Sequence, residues 1–178
     1  MKYETNAVKE MLVYGAANYY FYGMPGQSQK QDVNVFVKFK NSKENRAGMP
    51  LPEGTLRVYK KDTDGSLQFI GEDHIDHTPK NEEVRVKIGK AFDVVAERRQ
   101  TDYKRLSDHL HESEWEVVIR NHKEEEITVG ILEPLYSDWK VVKNSHPYQK
   151  VDAGTLRFDV KVGKDQAVKL TYRIQVTV

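Results

Sequence analysis

Apolar residues recur at every second position through most of the chain. Val33, Val35, Val37 and Phe39 alternate with polar neighbours, as do Leu56 and Val58, and Val84, Val86 and Ile88. The same rhythm returns at Trp115, Val117 and Ile119, at Ile127, Val129 and Ile131, at Leu156 to Val162, and at Leu170 to Val178. Successive side chains of a strand point to opposite faces, so each run predicts a strand with one dry face and one wet face. Strands of parallel sheets are dry on both faces and read as continuous apolar runs, so half-wet strands predict antiparallel sheets. The expected fold is all-β: an antiparallel β-sandwich, broadly immunoglobulin-like, with at most one short helix and with Trp115 and Trp139 at least partly buried.

Turn residues fall between these runs. Asp64-Gly65 predicts a hairpin joining "TLRVYKK" to "LQFIG"; Asn121 to Lys123 predicts one joining "WEVVIR" to "EEITVGIL"; Asp152 to Gly154 precedes "TLRFDVKV". Near Gly89 the alternation selects a register. A three-residue loop, Gly89 to Ala91, would pair Ile88 with Phe92 and Val86 with Val94, keeping dry residues on one face. Within "AERRQTDYKRLSDHLHESE", Tyr103, Leu106 and Leu110 are spaced by three and four, which suits a short amphipathic helix, although Gln100 to Tyr103 equally suits a strand end followed by a polar loop.

Composition narrows the possibilities. With 178 residues, a single main domain is expected, residues 31–178, preceded by an N-terminal arm or appended segment at 1–30, and the chain reads as a piece of a longer protein. Lys and Arg number 28 against 27 Asp and Glu, so no excess charge draws the chain to phosphates, and nucleic acid is not an expected partner. Disulfides, thiolate nucleophiles and cysteine-ligated metals are excluded because there is no cysteine. The most apolar N-terminal run, "MLVYGAANYYFYGM", is interrupted by Gly15, Asn18 and Gly23, so neither a signal peptide nor a membrane span is read there.

Candidate chemistry clusters at "GEDHIDHTPK". In an extended segment His74 and Asp76 share one face while Asp73 and His77 share the other, so neither face collects the three protein ligands of a catalytic zinc. A metal or general-base site at Asp76 and His77 would need a further ligand, for which His109 or His111 of "HLHE" are the candidates. The plainer reading is a solvated strand end whose Asp76 or Thr78 caps a turn at Pro79 to Asn81. "KKDTDGSLQFIG" places Asp62, Asp64 and Gly65 as a calcium loop would, but Lys60 and Gly71 stand where carboxylates are needed. No G-x-S-x-G, phosphate-binding glycine loop or H-E-x-x-H occurs, and no cofactor is implied. In "NYYFYG", Tyr20 and Tyr22 would share one strand face and Tyr19 and Phe21 the other; exposed Tyr rings of this kind make carbohydrate a possible partner.

The segment from Leu51 to Ser107 resembles the bacterial domain of unknown function 4139. The resemblance is carried by Leu51-Pro52-Glu53-Gly54, Val58-Tyr59, Gly71-Glu72-Asp73, His77-Thr78-Pro79, Ala91-Phe92-Asp93-Val94 and Arg98 to Asp102, and it continues through "WEVVIRNHKEEEITV" and "DWKVV". It extends over about Val33 to Val178. Such domains usually form the C-terminal part of longer bacterial proteins, many exported beyond the inner membrane and some described as mucoidy-inhibitor-like. The fold signals and the absence of catalytic motifs lead to the expectation of a non-catalytic module that packs on a neighbouring domain of its own chain or binds a protein of the cell envelope, and the resemblance implies an extracytoplasmic location. It assigns no catalytic role. Asp73, Asp76, His77, Arg98 and Asp102 are the residues expected to contribute to binding. The family pattern holds His77-Thr78-Pro79 but varies at His74, which favours a structural turn over a two-histidine site.

Overall fold

The computed structural model describes residues 7–15 and 26–177, so the "NYYFYG" cluster lies outside the described residues. Thirteen strands follow in order: β1 (Val8–Tyr14), β2 (Ser28–Gln31), β3 (Asn34–Lys40), β4 (Gly54–Lys61), β5 (Leu67–Ile75), β6 (Glu83–Lys90), β7 (Val94–Arg105), β8 (Leu110–Asn121), β9 (Ile127–Pro134), β10 (Asp138–Asn144), β11 (Tyr148–Asp152), β12 (Thr155–Val162) and β13 (Ala167–Thr177). Helical structure among the described residues is one 3-10 turn, Lys43–Asn45. The fold is the expected all-β sandwich with antiparallel sheets. The chain forms two compact units, residues 7–10 with 34–90 and residues 11–33 with 91–178, the boundary falling within β1.

In the first unit β3 pairs antiparallel with β6, Val37 opposite Val86 and Phe39 opposite Val84. The hairpin β4–β5 covers this pair. Phe39, Leu51, Val84 and Val86 are buried together, with Leu56, Val58, Ile75 and Ile88 packed against them. Asp64-Gly65 makes the turn expected of it: the Gly65 amide donates to the Asp62 carbonyl, and the Asp64 carboxylate accepts from the Ser66 amide at 2.8 Å. Asn41, fully buried, binds the loops together. Its side chain donates to the Met49 and Pro79 carbonyls and accepts from the Gly48 amide.

The second unit is a two-sheet sandwich. One sheet has the order β11-β12-β9-β1, the other β10-β13-β8-β7-β2. Pairing is antiparallel except for β1 with β9, where Met11 to Tyr14 run parallel to Val129 to Leu132. The alternating apolar sets meet between the sheets: Ile127, Val129 and Ile131 with Leu156, Phe158, Val160 and Val162 on one side, Val117 and Ile119 with Leu170, Ile174 and Val176 on the other. Trp115 is buried. Trp139 is half-buried, its indole N–H donating to the Ala153 carbonyl at 2.8 Å. Asp152 to Gly154 closes the β11–β12 hairpin.

Three local expectations are corrected. Val86 faces Val37 of β3, not Val94, and Phe92 is 93% exposed rather than paired with Ile88. Alternation specifies which face of a strand is dry; it does not specify the partner, and β3 carries the same alternation as the strand expected there. Residues 103–110 form no helix. They are the end of β7, a turn and the start of β8, in a ladder running from Val94–Asn121 to Arg105–His111. Cooperative ladder pairing outweighs the weak three-and-four spacing of Tyr103, Leu106 and Leu110. Asn121 to Lys123 is a turn but not a hairpin, because β8 and β9 lie in different sheets of the sandwich. The Asn121 side chain holds this crossing, donating to the Glu125, Val162 and Gly163 carbonyls.

Gly71 of β5 has no room for a side chain: an added Cβ would stand 2.6 Å from the Ile88 carbonyl oxygen and 2.7 Å from its Cα. Backbone atoms of a strand cannot yield as a flexible side chain does. Gly71→Ala is expected to lower unfolding free energy by about 1–3 kcal/mol through overpacking, measured by urea denaturation.

Candidate functional site

The five residues expected to bind are divided between the two units. Asp73, His77 and Asp76 belong to the first unit, Arg98 and Asp102 to the second. Asp73 is in β5, and its carboxylate accepts from the His74 amide at 3.0 Å and from the Lys87 amide of β6 at 2.8 Å. It thereby supplies a β6 amide with the acceptor that a paired strand would otherwise provide. Asp76 and His77 follow the end of β5. The Asp76 carbonyl accepts from the Thr78 hydroxyl, and Thr78 forms a two-way backbone bridge with Leu51. His77 Nδ1 accepts from the Glu53 amide at 3.2 Å, and its Nε2 lies 3.7 Å from the Glu53 carboxylate. Asn81, at φ 70°, completes the turn after Pro79. Among the described residues no three His, Asp or Glu side chains converge as metal ligands would.

His109 lies in the β7–β8 turn, while His111 is in β8, where its Nδ1 meets the Tyr103 hydroxyl at 2.6 Å. His109 thus precedes the first residue of β8, Leu110, and His111 follows it.

The buried polar chemistry of the second unit centres on Arg98. Along β7 the inward positions run Val94, Ala96, Arg98, Gln100, and along β9 Ile127, Val129, Ile131, Glu133. Both alternations thus end in polar residues on a dry face, Arg98 at 3% exposure and Glu133 at 0%. The sheets bring them together: Nε and Nη2 of Arg98 donate to the two Glu133 oxygens at 3.1 and 2.9 Å. Such a bidentate pair satisfies carboxylate and guanidinium together, as burial requires. The Tyr172 hydroxyl of β13 donates to Glu133 Oε1 at 2.5 Å, and the Arg98 guanidinium carbon stands 3.6 Å over the Trp115 ring. Burial holds the Tyr172 phenol well above the ordinary tyrosine range, with Arg98 opposing and Glu133 adding to the shift. Gly15 allows the arrangement, since a Cβ there would fall 2.0 Å from Glu133 Oε2. Glu133 and Tyr172 were missed by sequence reasoning. Extending the period-two pattern of β9 by one step marks Glu133, and that of β7 marks Arg98.

Asp102 belongs to the wet face of the same sheet. Asp102 of β7, Glu114 of β8 and Arg173 of β13 stand in one cross-strand row. Arg173 reaches Asp102 and Glu114 at 2.9 Å and Glu112 at 2.6 Å, and Gln175 donates to Glu112. The next carboxylate along β8, Glu116, is held by Arg99 and Lys169, both at 2.8 Å. The hydrogen bond from Arg173 lowers the Asp102 pKa; Gln175 and then Arg173 lower that of Glu112. Arg173 is itself raised, first by Glu112. This face is a closed ionic lattice: one guanidinium answers three carboxylates.

No family model matches the chain, and no curated protein matches it.

Removing one member of the buried pair strands a charge. Arg98→Met and Glu133→Leu are each expected to lose about 3–5 kcal/mol of stability, and the double variant less than the sum of the two, as a denaturation double-mutant cycle shows directly. On the wet face, carboxylate pKa values lowered by folding stabilise above the ordinary carboxylate range, about pH 4, and that stabilisation is lost as pH falls through the lowered values. Arg173→Met is therefore expected to flatten the dependence of the urea midpoint on pH below about 4, leaving the neutral-pH side of the profile unbent.

Proposed function

We propose that the chain is a non-catalytic β-sandwich module that binds a protein partner, and, following its resemblance to the bacterial domain 4139, that it does so at the cell envelope, outside the inner membrane. The observation that carries this reading is the employment of four of the five candidate side chains in holding the fold. Asp73 completes a strand edge, His77 braces a turn, Arg98 is an internal ion pair and Asp102 a lattice member. General acids, bases and nucleophiles need access to a substrate as well as a partner that tunes them. The accessible apolar side chains instead suit contact with another surface: Tyr59, Leu67 and Phe69 on the first unit, Tyr136, Tyr148 and Val151 on the second.

The exposed rings favour one second reading, in which Tyr59 and Tyr136, 49% and 65% exposed, stack on sugars of an envelope polysaccharide. A metal-assisted hydrolase built on Asp76 and His77 has no third converging ligand among the described residues.

The purified protein is expected to show no steady turnover on a panel of ester, phosphoester, peptide and glycoside substrates, with or without added divalent metal. Turnover that persists through repurification and is abolished by Asp76→Asn or His77→Asn overturns the non-catalytic reading. Quenching of aromatic fluorescence by an envelope polysaccharide at about millimolar sugar, lost in Tyr59→Ala or Tyr136→Ala, would establish the sugar reading in place of a protein partner.

A further inference from the structure

Six strand edges end the sheets among the described residues, those of β2, β4, β5, β6, β10 and β11. An unpaired edge presents a row of amides and carbonyls that another chain can join, and natural edges are blunted by bulges, brevity or charge. Four of the six carry an extra residue that breaks the ladder: Ile70 in β5, Ile88 in β6, Val142 in β10 and Val151 in β11. Strand β2 is only four residues, "SQKQ". Strand β4 is different. Its eight residues, "GTLRVYKK", continue without an inserted residue, and they alternate regularly between an outer row, Thr55, Arg57, Tyr59 and Lys61, and an inner row that includes Leu56 and Val58 of the core.

We infer that the free edge of β4 is a docking site for an extended segment of a partner protein, added as one more antiparallel strand whose side chains alternate acidic and apolar. The inner row calls for apolar residues, extending the surface of Leu56 and Val58. The outer row calls for acidic ones. Arg57 is already matched by Glu72 at 2.9 Å, but Lys61 of this row, and the exposed Lys60 that ends the inner row beside it, enter no ion pair among the described residues, so the strand ends in uncompensated positive charge. Edge lysines repel a like-charged strand and accept an oppositely charged one, which selects the partner as well as attracting it. The edge-to-face rings of Tyr59 and Phe69, 5.6 Å apart and both half-exposed, lie beside this edge and offer the incoming strand an apolar shoulder. Main-chain hydrogen bonds would supply affinity and the alternating rows specificity, as in other strand additions. The inference rests on the protein-binding reading above and names the surface and the class of partner.

The test uses the whole chain and a ten-residue peptide alternating valine and glutamate, with a valine and lysine peptide as control. Expected are saturable binding of the acidic peptide, slowed amide exchange confined to the alternate β4 amides that do not pair with β5, and about tenfold weaker binding by the Lys60→Glu, Lys61→Glu double variant. That variant changes exposed side chains only and is checked for an unchanged melting transition. Absence of binding at about 1 mM peptide, equal binding of the lysine peptide, or binding without β4 protection overturns the inference. So does concentration-dependent self-association through β4, which would make a second copy the occupant. None of these failures bears on the catalytic question, and enzymatic turnover would leave the exchange result standing.

Discussion

An ion pair enclosed between two sheets constrains the second unit more than any apolar contact does. Leu156 or Ile174 finds an acceptable environment in many packings, whereas Arg98 and Glu133 are tolerated inside only in register with each other, with Nε and Nη2 of the guanidinium on the two carboxylate oxygens. The pairing ties β7 in one sheet to β9 in the other. Tyr172 and Trp115 enclose it from β13 and β8, and Gly15 must be small where the chain passes. A slip of one residue in β7 or β9 would turn a charge outward and leave its partner buried alone. The pair thus selects one sandwich among those the alternating apolar pattern permits.

Much of this was legible in the sequence and some was not, for physical reasons. Period-two alternation gave seven of the strands and their dry faces, because burial acts on each residue separately. Partners were harder. The expected β6–β7 hairpin failed because β3 offers β6 an equivalent dry face, and the choice between them depends on chain path rather than on any local signal. The polar core was hidden for a different reason: reading only apolar residues as inward stopped the count at Ile131 and Val94, one or two steps short of Glu133 and Arg98. Asp102 could be placed near a strand end but not assigned its partners, since Arg173 is 71 residues away.

The same logic separates fold from function in the acidic and histidine-rich stretch from Gly71 to Lys80. Its density of ligand-type residues suggested chemistry, yet the Asp73 carboxylate is engaged by amides and His77 by Glu53, and Asp76 contributes its carbonyl to the turn. Clusters of charged residues at strand ends arise because turns and bulges leave amides that need acceptors. A regular strand edge and a few exposed rings are surface features of another kind.

The central claim is that Arg98 is an internal structural cation and not a group presented to a ligand. The side-chain Nε–H of Arg98, observed by nitrogen-edited NMR, reports on it directly. A single sharp Arg98 signal whose exchange with water is slowed by orders of magnitude relative to the surface arginines is the result this account requires. An Arg98 Nε–H exchanging as fast as that of Arg57 would contradict it.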